Sequence, residues 1–127
     1  MSLKQLGRQI QLFASAAVAS ASVITFKDLD SLGCRGVEVI LDVTAYSAGG
    51  LTIAISGKDP MSGKYYPLLA APTKAASTGT KVFVVYPGAT AAAGTVASRA
   101  IPEVFNVTLT PDDATSITYS VGVNLLP

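Results

Sequence analysis

Four stretches of this chain alternate apolar and polar residues with a period of two, and that pattern restricts the fold more than any other feature. From Val37 to Ala45 the odd positions Val37, Val39, Leu41, Val43 and Ala45 are apolar or small, while Glu38, Asp42 and Thr44 fall between them; only Ile40 breaks the rule. Leu51, Ile53 and Ile55 alternate with Thr52, Ala54 and Ser56. Phe105, Val107 and Leu109 alternate with Asn106, Thr108 and Thr110, and Ile117, Tyr119, Val121, Val123 and Leu125 with Thr118, Ser120, Gly122 and Asn124. Successive side chains of a strand point to opposite sides, so each stretch predicts a half-buried antiparallel strand.

The segments between these strands carry turn chemistry. Ser47-Ala48-Gly49-Gly50 tolerates positive φ, which predicts a hairpin joining 37–45 to 51–56. Gly57 to Lys64, with Pro60 and Gly63, reverses the chain before Tyr65-Tyr66-Pro67-Leu68-Leu69, a third hairpin element. Residues 73–80 are small and polar, a loop, and Pro111 to Ala114 form a turn. Lys81 to Tyr86 is a β-branched, apolar run of strand length without alternation, which predicts burial on both faces. Residues 87–103 show no period of two and read as a long loop, either ordered by a partner or crossing between two sheets. With Ile10–Ala14 and Val23–Phe26 added, seven or eight strands are expected. The fold class is all-β, an antiparallel, jelly-roll-like β-sandwich over 23–127, preceded by an N-terminal arm or first strand over 1–22. No internal repeat is visible.

Composition decides what such a sandwich does for solubility. The 127 residues include nine Lys and Arg and eight Asp and Glu, so only 13% are charged at a net charge of +1, against about 25% in an average soluble domain. A folded chain of this size exposes roughly 6,000 Å², and so few charges protect that area poorly from association. A protein much of whose surface is covered by other protein is the expectation.

The same counts exclude chemistry. With no His and one Cys, a zinc set, a Ser-His-Asp or Cys-His pair and an internal disulfide all fall away. A near-neutral balance argues against a nucleic-acid partner, and neither GxGxxG nor GxxxxGK[ST] occurs. The apolar runs are far shorter than the ~20 residues of a spanning helix, so no membrane partner is expected. Lys4 and Arg8 precede an apolar stretch ending in Ala19-Ser20-Ala21, which resembles a signal-peptidase site, but Gln9, Gln11 and Ser15 interrupt it and favour a strand.

Individual candidates read as structural. Glu38 and Asp42 lie four residues apart, about 13 Å along a strand, too far to act on one bond. Asp112-Asp113 fits turn chemistry rather than a calcium site. One of Tyr65 and Tyr66 has to point inward if the segment is a strand, leaving a single exposed ring. Cys34 is expected as a buried filler, with no His to activate it. Asn106-Val107-Thr108 matches a glycosylation sequon that needs a secretory setting. No catalytic, cofactor-binding or metal-binding residue is expected, and no cofactor.

From Gly57 to Leu69, GKDPMSGKYYPLL, the chain resembles a family of small virion proteins of tailed bacteriophages. The resemblance extends to Arg35-Gly36 before the strand ending in Leu41-Asp42-Val43-Thr44, to Tyr86-Pro87-Gly88, and to the closing Asp112–Leu125 segment with Ser116-Ile117-Thr118-Tyr119-Ser120-Val121-Gly122, roughly residues 35–125. It implies a capsid decoration, or cement, protein: a non-enzymatic structural component made in the host cytoplasm, residing on the outer capsid surface and binding the major capsid protein. It also implies a homo-oligomer, with a trimer matching the local threefold positions of a shell. On that reading residues 1–22 anchor the protein, adding a strand to a sheet edge through Ile10, Leu12 and Phe13, while Arg99 and Ile101 of the long loop supply further contacts. A tail or head-to-tail component and a carbohydrate-binding adhesin module are the rival readings.

Overall fold

A computed structural model describes the backbone of residues 4–6 and 8–127; residues 1–3 and 7 of the expected arm lie outside the described residues. The described residues form ten strands: β1 (Lys4–Leu6), β2 (Gln9–Val18), β3 (Ile24–Asp30), β4 (Gly36–Ala45), β5 (Leu51–Lys58), β6 (Tyr65–Pro67), β7 (Gly79–Val85), β8 (Val96–Ala97), β9 (Val104–Pro111) and β10 (Ile117–Leu126). They form a six-stranded sheet in the order β1-β2-β10-β4-β7-β8 and a four-stranded sheet in the order β3-β9-β5-β6. Every ladder is antiparallel except β7 with β8. The all-β sandwich matches the expectation, but with ten strands in place of seven or eight. Seven of the ten are at least seven residues long; β1, β6 and β8 have three, three and two, too short to show a period.

Register lines up the apolar positions. In the larger sheet Ile10 faces Val123, Val123 faces Val39, and Val39 faces Phe83, so one row crosses four strands. In the smaller sheet Phe26, Val107 and Ile55 form the opposing row. All of these are buried in one core, and each fully buried aliphatic side chain stabilises the fold by about 1.5–3 kcal/mol relative to exposure.

Three expectations are corrected or narrowed. First, β4 and β5 do not form a hairpin: β4 pairs with β10 and β7, whereas β5 pairs with β9 and β6. Residues 46–50 carry the chain from one sheet to the other, with the Tyr46 hydroxyl donating to the Gly49 carbonyl at 2.6 Å and Gly49 at φ 80°. Alternation shows that each strand has one apolar side, and two such strands satisfy it equally well side by side or face to face. The hairpin from β5 to β6, by contrast, stands where the sequence puts it, with Ser56 opposite Pro67. Second, β7 is buried on one side only. Phe83 and Val85 point into the core, while Val82 remains 42% exposed on the outer side of the larger sheet.

Third, the arm or first strand expected over 1–22 is a strand where it is described: β2 pairs with β10 along its length, with two register shifts. Ile10 is 3% exposed and Leu12 fully buried. The long loop resolves in favour of the crossover reading: it leaves β7 in one sheet, lays β8 beside it and enters β9 in the other.

Candidate interaction surface

The five residues expected to meet a partner are scattered. Ile10 and Leu12 belong to the core, so their side chains are unavailable to a partner. Phe13 is half-buried and stacks on Tyr119 with ring centroids 5.2 Å apart. Ile101 is also buried, and its N–H donates to the Arg35 carbonyl at 2.9 Å. Arg99 alone is exposed; it donates to the Pro67 carbonyl at 3.3 Å and lies 5.7 Å over the Tyr66 ring. Alternation in Gln9–Leu12 reports burial correctly, but burial by the core and burial by a partner leave the same pattern.

A polar cluster that sequence reading did not single out sits on β3 and the β5–β6 hairpin. Phe26 and Leu29 both point inward although three positions apart, and the ladder with β9 shifts between them. The intervening Asp28 adopts φ 56°, a left-handed conformation that Asp tolerates better than most residues. Its N–H donates to Asn106 Oδ1 at 2.9 Å, and its carboxylate accepts from the Tyr65 hydroxyl at 2.6 Å with Lys58 Nζ at 3.5 Å. Lys27 and Lys58 stand 5.8 and 5.7 Å from the centroid of the Tyr65 ring. The signal for this bulge is in the sequence, since an apolar pair at spacing three inside a strand cannot keep period two.

Electrostatics show what the cluster does. The Tyr65 hydroxyl, donating to Asp28, holds that carboxyl below its ordinary value against the opposing cost of desolvation, with Lys58 and Lys27 assisting. The same hydrogen bond pushes the Tyr65 phenol up. The hydrogen bond between the ionised carboxylate and the neutral phenol locks the bulge to the hairpin. Asn106 is 5% exposed and engaged in this lock, so its sequon side chain is not presented to solvent.

The remaining candidates are likewise tied into the fold. Glu38 accepts from Asn124 at 3.0 Å and Asp42 from Thr80 at 3.3 Å, both cross-strand neighbours. Asp113 caps its turn by accepting from the Thr115 N–H at 2.9 Å, and Asp112 pairs with Lys74 at 2.8 Å. Cys34 is buried. Among the described residues, no three His, Cys, Asp or Glu side chains gather as a metal-holding group.

What the fold does present is two broad outer faces. On the smaller sheet, Thr25 lies beside Thr108 and Thr108 beside Ala54, with Thr52 and Thr110 in the next row. These Thr and Ala positions carry no charge; the Lys27–Asp28–Lys58 cluster lies at one end of the field and the Lys74–Asp112 pair beyond the other. On the larger sheet the outward row Gln11, Gly122, Ile40, Val82 is uncharged too, with Glu38 and Asp42 on either side of Ile40. No known family model matches the chain, and no curated protein is significantly similar to it.

Proposed function

We propose that this chain is a capsid decoration protein of a tailed bacteriophage, which binds the outer surface of the head and stabilises the shell by noncovalent contacts. The observation that supports it best is the pair of broad, thinly ionised sheet faces. Interface cores are depleted in charge, and a rigid sandwich offering two such faces suits a protein that bridges neighbouring subunits and gains strength from many copies. The resemblance of residues 35–125 to small phage virion proteins points the same way. On this reading the partners are the major capsid protein and further copies of the chain, a trimer suiting the threefold positions of a shell, and no turnover is involved. Burial of Ile10 and Leu12 moves the attachment away from the arm and onto the faces and edges of the sandwich.

The test is direct. Heads assembled without this chain are mixed with the purified protein and then heated or treated with chelator. The proposal expects saturable binding to expanded shells and greater resistance to disruption; absence of binding, or binding with unchanged resistance, overturns it. Labelled copies seen on tails or at the neck by electron microscopy favour the rival virion stations instead.

A further inference from the structure

The outer edge of β7 is covered over only part of its length. Val84 donates its N–H to the Thr95 carbonyl at 2.8 Å and Tyr86 to the Ala97 carbonyl at 3.0 Å. Even-numbered residues of this segment therefore turn their N–H and C=O away from β4 and toward β8. The β8 register reaches Val84 and Val85 and stops. By the same alternation Thr80 and Val82 aim their main-chain groups at the same side, where no described strand pairs with them.

Beside this open edge lies a cavity of about 120 Å³, lined mainly by apolar surface of Ala75, Val82, Phe83 and Thr95 together with Lys74 and Lys81. That is well under the ~300–1,000 Å³ of a small-molecule site and suits one side chain. Its surroundings are fixed rather than loose. Ala75 exchanges two main-chain hydrogen bonds with Leu51, at 2.8 and 3.0 Å, and Thr73 donates to the Gly94 carbonyl at 2.9 Å. Lys74 is matched by Asp112 at 2.8 Å, but among the described residues Lys81 meets only the Ser77 hydroxyl, at 2.9 Å. The pocket thus carries an unneutralised cation at its side.

We propose that the Gly79–Phe83 edge accepts an extended peptide segment of a partner protein, with one apolar side chain seated in the cavity and a neighbouring carboxylate on Lys81. Main-chain pairing supplies adhesion, the cavity and the lysine supply selectivity, and the preformed walls spare the cost of ordering. This goes beyond the decoration reading and holds whether or not the partner is a shell protein. A random hexapeptide library selected on the full-length chain tests it, followed by titration of the best synthetic hexapeptide into ¹⁵N-labelled protein. The expected outcome is enrichment of an apolar residue next to Asp or Glu, with amide shifts concentrated at Thr80, Val82, Phe83 and Thr95. Lys81→Glu, and separately amidation of the peptide carboxylate, each weaken binding about tenfold; Val82→Pro abolishes it. Since Val82→Pro can unfold the strand, the peptide amidation arm, which leaves the protein untouched, carries the decision. No enrichment, shifts on the opposite edge, or affinity indifferent to both Lys81→Glu and amidation overturns the proposal.

Discussion

Tyr119 is the residue least at ease in this core. It is 1% exposed, and its hydroxyl is the buried side-chain polar atom left without a hydrogen-bond partner among the described residues; burial pushes its phenol up. An unmet buried hydroxyl costs about 1–3 kcal/mol, so Tyr119→Phe, which keeps the stack on Phe13, is expected to leave stability unchanged or raise it by up to that amount in chemical denaturation. A loss above ~1 kcal/mol contradicts the assignment. Titration sets a second residue-scale expectation. Asp28, Asp59 and Asp113 are held below their ordinary values by hydrogen bonds from Tyr65, the Met61 N–H and the Thr115 N–H respectively. A depressed carboxyl stabilises the fold above its unfolded value of about 3.9 and loses that contribution as pH falls through the folded value. Tyr65, Tyr119 and Lys74 are shifted up, so their contributions are intact below about pH 10 and vanish as pH rises beyond it. Melting temperature measured against pH is expected to stay level from about 5 to 9 and to fall on both sides; a steep change near pH 6–7 contradicts it.

At the scale of elements, strands were legible wherever one side faced the core, and their pairing only where a tight turn joined neighbours, as from β5 to β6. Period two in β4, β5, β9 and β10 announces single-sided strands, yet the short connection after Ala45 crosses between sheets because the apolar sides of β4 and β5 face each other across the core. Of the short edge strands, β6 was legible through the turn chemistry of Gly57–Lys64 before it, whereas β1 and β8 were not singled out, since two or three residues cannot display a period. The uncovered stretch of β7 was hidden because Val82, 42% exposed, reads as core in a run of β-branched residues. Two glycines test the packing. Gly122 lies in β10 with nothing within 4 Å of an added Cβ, so Gly122→Thr is expected to stabilise by a few tenths to ~1 kcal/mol through β propensity and a stiffer unfolded chain. Gly36, at the start of β4, has the Tyr86 ring and the Val85 carbonyl in the place of a Cβ, the carbonyl at 2.6 Å. Gly36→Ala is expected to destabilise by ~1–3 kcal/mol, since overpacking forces backbone shifts. Equal stability of the two variants contradicts the packing of β4 between β7 and β10.

The whole molecule carries seventeen charged side chains, nine basic and eight acidic, and its two sheets turn mostly Thr, Ser, Ala, Gly and Val outward. Such a particle has little electrostatic repulsion between copies near neutral pH. Sedimentation velocity across a concentration series is therefore expected to show assembly into a discrete homo-oligomer that tightens as salt screens what repulsion remains; a strict monomer at every concentration contradicts it. The broader proposal is that both sheet faces are covered in a capsid. Cosedimentation of the purified chain with expanded heads lacking it tests this without intermediaries. Binding is expected to saturate at a fixed number of copies per shell and to raise the temperature at which the heads rupture. Heads that ignore the protein at saturating concentration, and rupture at the same temperature with it as without it, contradict a role in holding the shell together.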